Sequence, residues 1–319
     1  MRTAHTASVS SIIALAWIIA AVPMAWAQPV TKDTTDTAPI EQVIVTAPRL
    51  SAEIKSFVQS YAMPSLSAPV VARWKNPICP NTFGFLQQKD DDFVTLRIRQ
   101  IAASANVRLA TPPCRANIQV YFAAKPQALL DSIRSHGGSR LLSANPSQAE
   151  RLAVFKRPIQ AWYATGTRDE YNGVLGSDDI EDGGWSGCIC DITVPPMPGS
   201  GVRMMNPDPV RAGVRSEFAH IYVIADINQT SSYSFNAVAD YIAMLALSEI
   251  RTFDACQELP SITNLIVPDC DASRKPGAIT ETDLAYLRGI YSVDPGEALK
   301  TQQSDIAAQM EATLSDARP

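Results

Sequence analysis

The side chains able to move protons are few and unevenly placed. Beyond residue 27 the chain has two histidines, His136 and His220, and the second sits in the apolar run SEFAHIYVIADI (216–227), which also holds Asp226. An imidazole and a carboxylate six residues apart would serve as a base and its orienting acid if they met. Strand alternation puts His220, Tyr222, Ile224 and Asp226 on one face, but a rise of about 3.3 Å per residue separates His220 from Asp226 by roughly 20 Å. They cannot form a dyad along one strand, and a buried, satisfied histidine is the expectation for His220. The second constellation is Asp240 and Tyr241 in FNAVADYIAMLALSEI (235–250), a segment apolar almost all round. A carboxylate buried there must be paired or must shift its pKa. Asp240 is therefore either a structural anchor, with an arginine as partner, or the acid of a site. No other acid or base lies three or four residues away on its face, and Glu249 points roughly opposite, which favours the anchor. His220, Asp226, Asp240 and Tyr241 are the weak catalytic candidates of a hydrolase-like reading.

Other chemistries fit less well. A three-histidine zinc site cannot be assembled from one mature chain, and there is no H-E-x-x-H, so neither a metal nor a cofactor is expected. His136, next to Gly137 and Gly138, reads as a helix-end residue. GWSGC (184–188) approaches a nucleophile elbow but lacks the last glycine and the flanking strand and helix. SDDIEDGG (177–184) has the composition of a calcium loop, yet Ile180 occupies a ligand position and no Glu closes the span, so a solvated acidic loop is expected.

The elements that must position these groups begin after a leader. Residues 1–27 carry Arg2, an apolar core SIIALAWIIAAV and the small-residue pattern Ala25-Trp26-Ala27, the form of a signal peptide cut before Gln28. The mature chain is then exported, periplasmic or secreted, with no membrane span of its own. Loss of Arg2, the one charge of the leader, leaves 26 Lys+Arg against 32 Asp+Glu. That acidic balance argues against nucleic acid as a partner. All six cysteines, Cys79, Cys114, Cys188, Cys190, Cys256 and Cys270, lie in the mature part and read as disulfides. Cys79 with Cys114 and Cys256 with Cys270 are the expected pairs. The CxC at 188–190 is open between a strained local disulfide, a redox pair, half a metal site and two cysteines bonded elsewhere.

Residues 28–50 read as a flexible linker containing a β-prone run, and 51–319 as one domain. Ser51 caps a helix with Ile54, Phe57, Val58 and Tyr61 inward; a second helix covers 93–105, a strand 117–124, and Pro126 opens a helix ending at Gly137-Gly138. Strands follow at 158–167 and 216–227, the latter apolar on both faces and so central. Between them, about 169–214 is a long Pro/Gly-rich loop holding the CxC, expected to be pinned. Ser234 caps the apolar helix, Thr280 and Asp283 form a capping box, and a tail helix covers roughly 295–314. This order, without strict βαβ alternation, implies an α+β class: a single disulfide-stabilised domain with a mixed or antiparallel sheet and packed helices.

Three resemblances add to this. EQVIVTAPR (41–49) resembles the TonB box of TonB-dependent outer-membrane receptors, which joins TonB by strand addition. The resemblance implies a TonB-like envelope partner gripping Val43, Ile44, Val45, Thr46 and Ala47. A mature chain this short and helical cannot make such a receptor's plug and barrel, and a first strand of the domain is the alternative for the segment. Arg73-Trp74 with Cys79-Pro80, CRAN (114–117), AWY (161–163), ADYIAMLAL (239–247) and ITETDLAYLRGIY together resemble a family of exported alphaproteobacterial proteins with no assigned activity. That likeness implies export and one contiguous domain, and no catalytic residue. The last motif is also similar to the closing helix of matrixin-type zinc peptidases. The helix that should carry H-E-x-x-H holds Ala239 to Ala243 instead, so this likeness implies an inactive scaffold reused for binding. The leading expectation is an envelope binding or accessory protein.

Overall fold

The computed structural model describes residues 47–65, 68–135, 152–168, 174–177, 188–189, 192–193, 213–250 and 255–316, all in the unit Val45–Pro319. Its backbone is a six-stranded sheet covered by helices on both faces. The strands are β1 (Ala72–Arg73), β2 (Pro80–Phe83), β3 (Ile118–Ala123), β4 (Ile159–Arg168), β5 (Val174–Ser177) and, after the small hairpin β6 (Cys188–Ile189) and β7 (Ile192–Thr193), β8 (Arg215–Asp226). The order is β2-β3-β8-β4-β5. β2, β3 and β8 run parallel, with β1 parallel to the start of β8, while β4 runs antiparallel to β8 and β5 antiparallel to β4.

The expected α+β class is overturned by the connection through α2 (Gln88–Ser104), which joins the parallel strands β2 and β3 by a helical crossover. The arrangement is α/β-like. The crossover is hard to see in the sequence because β2, PNTF, has four residues and begins with proline, where pattern and propensity are weakest.

β8 is the central strand, and its neighbours explain why both its faces are apolar. Phe218, Ile221, Val223 and Ala225 join the main core with Ile118, Val120 and Phe122, beneath α2 and the helix α5 (Phe235–Leu247). Tyr222 and Ile224 face the other way, toward Trp162, Tyr121 and the inner face of α3 (Pro126–Ser135), which supplies Leu129, Leu130 and Ile133. Phe218 and Ile221 share a face despite odd spacing because the register against β4 shifts between Ala164 and Thr165, where His220 and Phe218 are the successive partners. The bulge absorbs Ala219 and resets the alternation.

The remaining helices close the main core. α1 (Ala47–Tyr61) turns Leu50, Ile54, Phe57, Val58 and Tyr61 inward. It starts at Ala47, four residues ahead of the expected Ser51 cap, and Ser51 Oγ instead donates to Glu311 Oε1 at 2.6 Å. α6 (Glu281–Ser292) packs against α7 (Leu299–Asp316), which also supports α1. α6 starts with the capping box expected from Thr280 and Asp283. The Asp283 carboxylate also accepts from Ser261 Oγ and, at 2.9 Å, from Ile262 N. Ser261 and Thr263 then link it to the hydroxyl of Tyr61, tying α1, α6 and the 3-10 turn Ile262–Ile266 together. Two disulfides, Cys79–Cys114 and Cys256–Cys270, cross-link the described residues. They are the expected pairs and are compatible with an oxidising, exported location. Cys190 lies outside the described residues, and of Cys188 only the backbone, in β6, is described. Among the described residues no helix is long and apolar enough to cross a membrane.

Burial raises the Asp283 pKa above its ordinary 3.8, against the opposing hydrogen bonds from Ser261, Ile262 and Thr280. The folded state then holds this proton more tightly than the unfolded state. Its contribution to stability is full below about pH 3.8 and is lost as pH rises through the folded value. Urea unfolding of the wild type and Asp283→Asn between about pH 3 and pH 7 is expected to show the wild type's relative stability falling with pH. A relative stability that rises with pH contradicts this assignment.

Candidate functional site

The four sequence candidates do not assemble. Asp226, at the end of β8, is the N-cap of the short helix α4 (Ile227–Thr230): its Oδ1 accepts from Asn228 N at 2.8 Å and Gln229 N at 3.3 Å, and Oδ2 from Gln229 Nε2 at 2.8 Å. Its carboxylate is thus occupied by the turn it starts. His220 is half-buried in the middle of β8, its ring parallel to that of Tyr222 with centroids 6.4 Å apart. Asp240 and Tyr241 are both fully buried in α5. Burial pushes the Tyr241 phenol well above its ordinary value. Asp240 has the arginine partner anticipated for it: Arg97 of α2 grips it through Nε and Nη2, the latter at 2.9 Å, and Ile279 N adds a third bond at 2.7 Å. This ion pair locks α2 to α5 and to the segment leading into α6. Of the proposed partner-binding residues, Val43, Ile44, Val45 and Thr46 lie outside the described residues, and Ala47 is the first residue of α1.

A different set of residues forms a cleft of about 340 Å³ at the start of β8, within the size range of small-molecule sites. Four segments converge there. β1 and the residues after it bring Arg73, Trp74 and Lys75, and β8 brings Arg215 and Glu217. The turn after α2 brings Val107 and Arg108, and the last turn of α6 with the α6–α7 connection brings Tyr291, Val293 and Pro295. Sheet register places Arg73 beside Glu217, and Arg215 opposite Arg168 on β4. The turn after α2 depends on Asn106, whose φ of +60° is a left-handed conformation that asparagine adopts more readily than most residues. It reverses the chain so that Val107 N returns to Ala102 O at 2.8 Å. Val107 and Arg108 thereby reach the cleft.

The cleft is cationic although the chain carries a net charge of −5. Arg73, Lys75, Arg108 and Arg215 line it against one acid, Glu217. Glu217 is already engaged by Arg168 at 2.9 Å and Lys75 at 3.4 Å. Arg108 donates to the Lys75 carbonyl. Arg73 Nη1 closes the C-terminal end of α6 by donating to Ile290 O at 2.8 Å and Val293 O at 2.6 Å. Three buried polar atoms of these lining residues have no hydrogen-bond partner among the described residues: the donors Arg73 Nη2 and Arg215 Nε, and the acceptor Glu217 Oε1, which has only the ion-pair contact of Lys75. Burial lowers the Arg73 pKa to about 10, with the Arg215 charge acting in the same direction and Tyr291, Asp294 and Glu217 opposing. Leaving such groups desolvated and unmatched is costly.

None of the four candidate catalytic residues lines this cleft. Its own residues were not singled out as a site in the sequence, because they are ordinary basic and apolar residues from separate segments that only the fold collects. The residue pair Arg73-Trp74 stood out there only through a family likeness. No protein-family model, curated protein or solved structure matches the chain. Fold and site together define an α/β-like, disulfide-linked protein with a cationic cleft at the start of its central strand.

Proposed function

We propose that this chain is an exported binding or accessory protein of the bacterial envelope, periplasmic in location, that takes an anionic group into the cleft between Arg73 and Arg215. The observation that carries this reading is a cleft lined by four cationic side chains against one acid, two of whose arginines keep a buried nitrogen unmatched. A binding role is favoured over hydrolysis because Asp226 and Asp240 are committed to a helix cap and a buried ion pair. The two disulfides are in keeping with export.

The test is calorimetric titration of the wild type and of Arg215→Met with inorganic phosphate and with acetate at fixed ionic strength. At least one of the two is expected to bind the wild type saturably. A ligand at 100 times its Kd also raises unfolding free energy by about 2.7 kcal/mol, and Arg215→Met is expected to bind at least tenfold more weakly, which at the same ligand concentration cuts that gain to about 1.4 kcal/mol or less. Heat signals and stability that respond equally in wild type and variant would contradict the assignment.

The N-terminal segment Val43, Ile44, Val45, Thr46 and Ala47 is, on its resemblance to a TonB box, the proposed handle for a TonB-like partner. Crosslinking of the full chain to TonB is expected to be lost in Val45→Pro, because proline removes a strand donor. Equal crosslinking of both chains, or none with either, removes this part of the proposal.

A further inference from the structure

We infer that the ligand of the cationic cleft is an amphiphilic organic acid, a carboxylate or phosphate ester carrying an aromatic or branched apolar body, and not a bare inorganic anion. This rests on the anion-binding reading and adds the chemistry of the rest of the ligand.

The inference comes from the apolar part of the lining. Trp74, Val107, Tyr291, Val293 and Pro295 line the cleft beside the arginines. The two aromatic residues have polar atoms that could have made the wall hydrophilic, but both are already engaged. Trp74 Nε1 donates to Ala246 O at 2.8 Å and Tyr291 Oη to Leu247 O at 2.7 Å, both among the last carbonyls of α5. These bonds also fix the orientation of the rings, and Trp74 is held further by Phe218, with centroids 5.5 Å apart. What Trp74 and Tyr291 offer a ligand is therefore ring surface. Val107, Val293 and Pro295 have no side-chain polar atom to offer. A site built for inorganic phosphate or sulfate would need donors on most sides of a small sphere. Here the lining combines cationic donors with five residues that offer a preorganised apolar surface.

The volume agrees. About 340 Å³ is several times the roughly 30 Å³ share of a water molecule, so a small oxyanion held by Arg73 and Arg215 would leave most of the cleft unfilled. A body of aromatic-ring size against Trp74 and Val293 would exclude the water that weakens the guanidinium contacts. Lowered local dielectric strengthens each charge-assisted hydrogen bond.

The experiment uses two matched pairs of probes on the intact, oxidised chain: acetate with phenylacetate, and inorganic phosphate with phenyl phosphate. Kd is measured by calorimetry and by Trp fluorescence. The aryl member of at least one pair is expected to bind at least tenfold tighter than its bare counterpart, and the pair that shows this identifies the acid as carboxylate or phosphate. Val293→Ser, at a half-buried position, is expected to shrink that advantage while Arg215→Met weakens the aryl ligand in the same pair. Equal affinity within both pairs overturns the amphiphile inference and leaves the anion-binding reading standing. No binding by any of the four probes overturns the anion-binding reading itself. An aryl advantage unchanged in Val293→Ser also overturns the inference, because the apolar contact then lies elsewhere.

Discussion

Arg97→Ala is expected to destabilise the protein by about 3 kcal/mol, at the lower end of the range for breaking a buried ion pair. The cost arises at Asp240, whose side chain is 0% exposed, and less at Arg97, whose side chain is 29% exposed. With the arginine gone, the carboxylate keeps Ile279 N as a donor but loses both guanidinium bonds. Arg97→Met combined with Asp240→Leu is expected to lose less than Arg97→Ala alone, since no charge is stranded. Urea unfolding at neutral pH, with midpoint and slope both fitted, measures this. A loss below about 0.5 kcal/mol for Arg97→Ala, the size of an exposed pair, would show that Asp240 is satisfied by something else. It would also reopen Asp240 as a site acid.

The second large effect is expected at the cross-link Cys79–Cys114, which spans 35 residues of sequence and encloses α2. In the chain-entropy picture a loop of that length stabilises by about 4 kcal/mol, against about 3 kcal/mol for the shorter Cys256–Cys270 loop. Cys79→Ser with Cys114→Ser is expected to lower the unfolding free energy by roughly that amount. The loss should also reach the cleft. Cys79 N donates to Asn117 Oδ1 at 2.7 Å, and the neighbouring Ile78 N donates to Arg108 O at 2.8 Å. Oxidised wild type and the double variant compared by denaturation and by anion titration test both parts. An unchanged denaturation midpoint would mean that the fold does not depend on this bridge.

The sequence was legible wherever one short stretch carried its own signal. Ser234 with the apolar segment behind it read as a capped buried helix, and Ser234 Oγ accepts from Ala237 N at 3.2 Å. Thr280 and Asp283 read as a capping box because the pattern is local, and the apolar run 216–227 read as a central strand because both its faces are buried. The helix opened by Pro126 was legible for the same reason. The elements that decide the class were not of this kind. β2 is four residues beginning with proline, and the first turn of α2 is the polar stretch QKDDD, which carries no apolar period. Without these two the parallel crossover is invisible, and the order of the remaining elements points to α+β. The cleft was illegible for a related reason. Its charges come from 73–75, 108 and 215–217, positions brought together by strand register and by the left-handed turn at Asn106. In a linear reading of an acidic chain they are scattered surface cations. Asp240 shows the opposite case: burial could be read from its helix, so a partner was demanded, but only packing of α2 on α5 identifies Arg97 as that partner.

The central claim is that Arg73 and Arg215 hold an anion in this cleft, and the most direct measurement is NMR of the arginine Nε–Hε groups during titration with phenyl phosphate and phenylacetate. The account predicts that the Arg215 Nε–Hε resonance, unmatched in the ligand-free protein, moves saturably to the position of a charge-assisted hydrogen bond. Arg97 Nε–Hε, already bound to Asp240, should stay where it is. Saturable binding of either ligand with the Arg215 signal unmoved would contradict the account, as would an Arg215 signal unmoved by both at millimolar concentration.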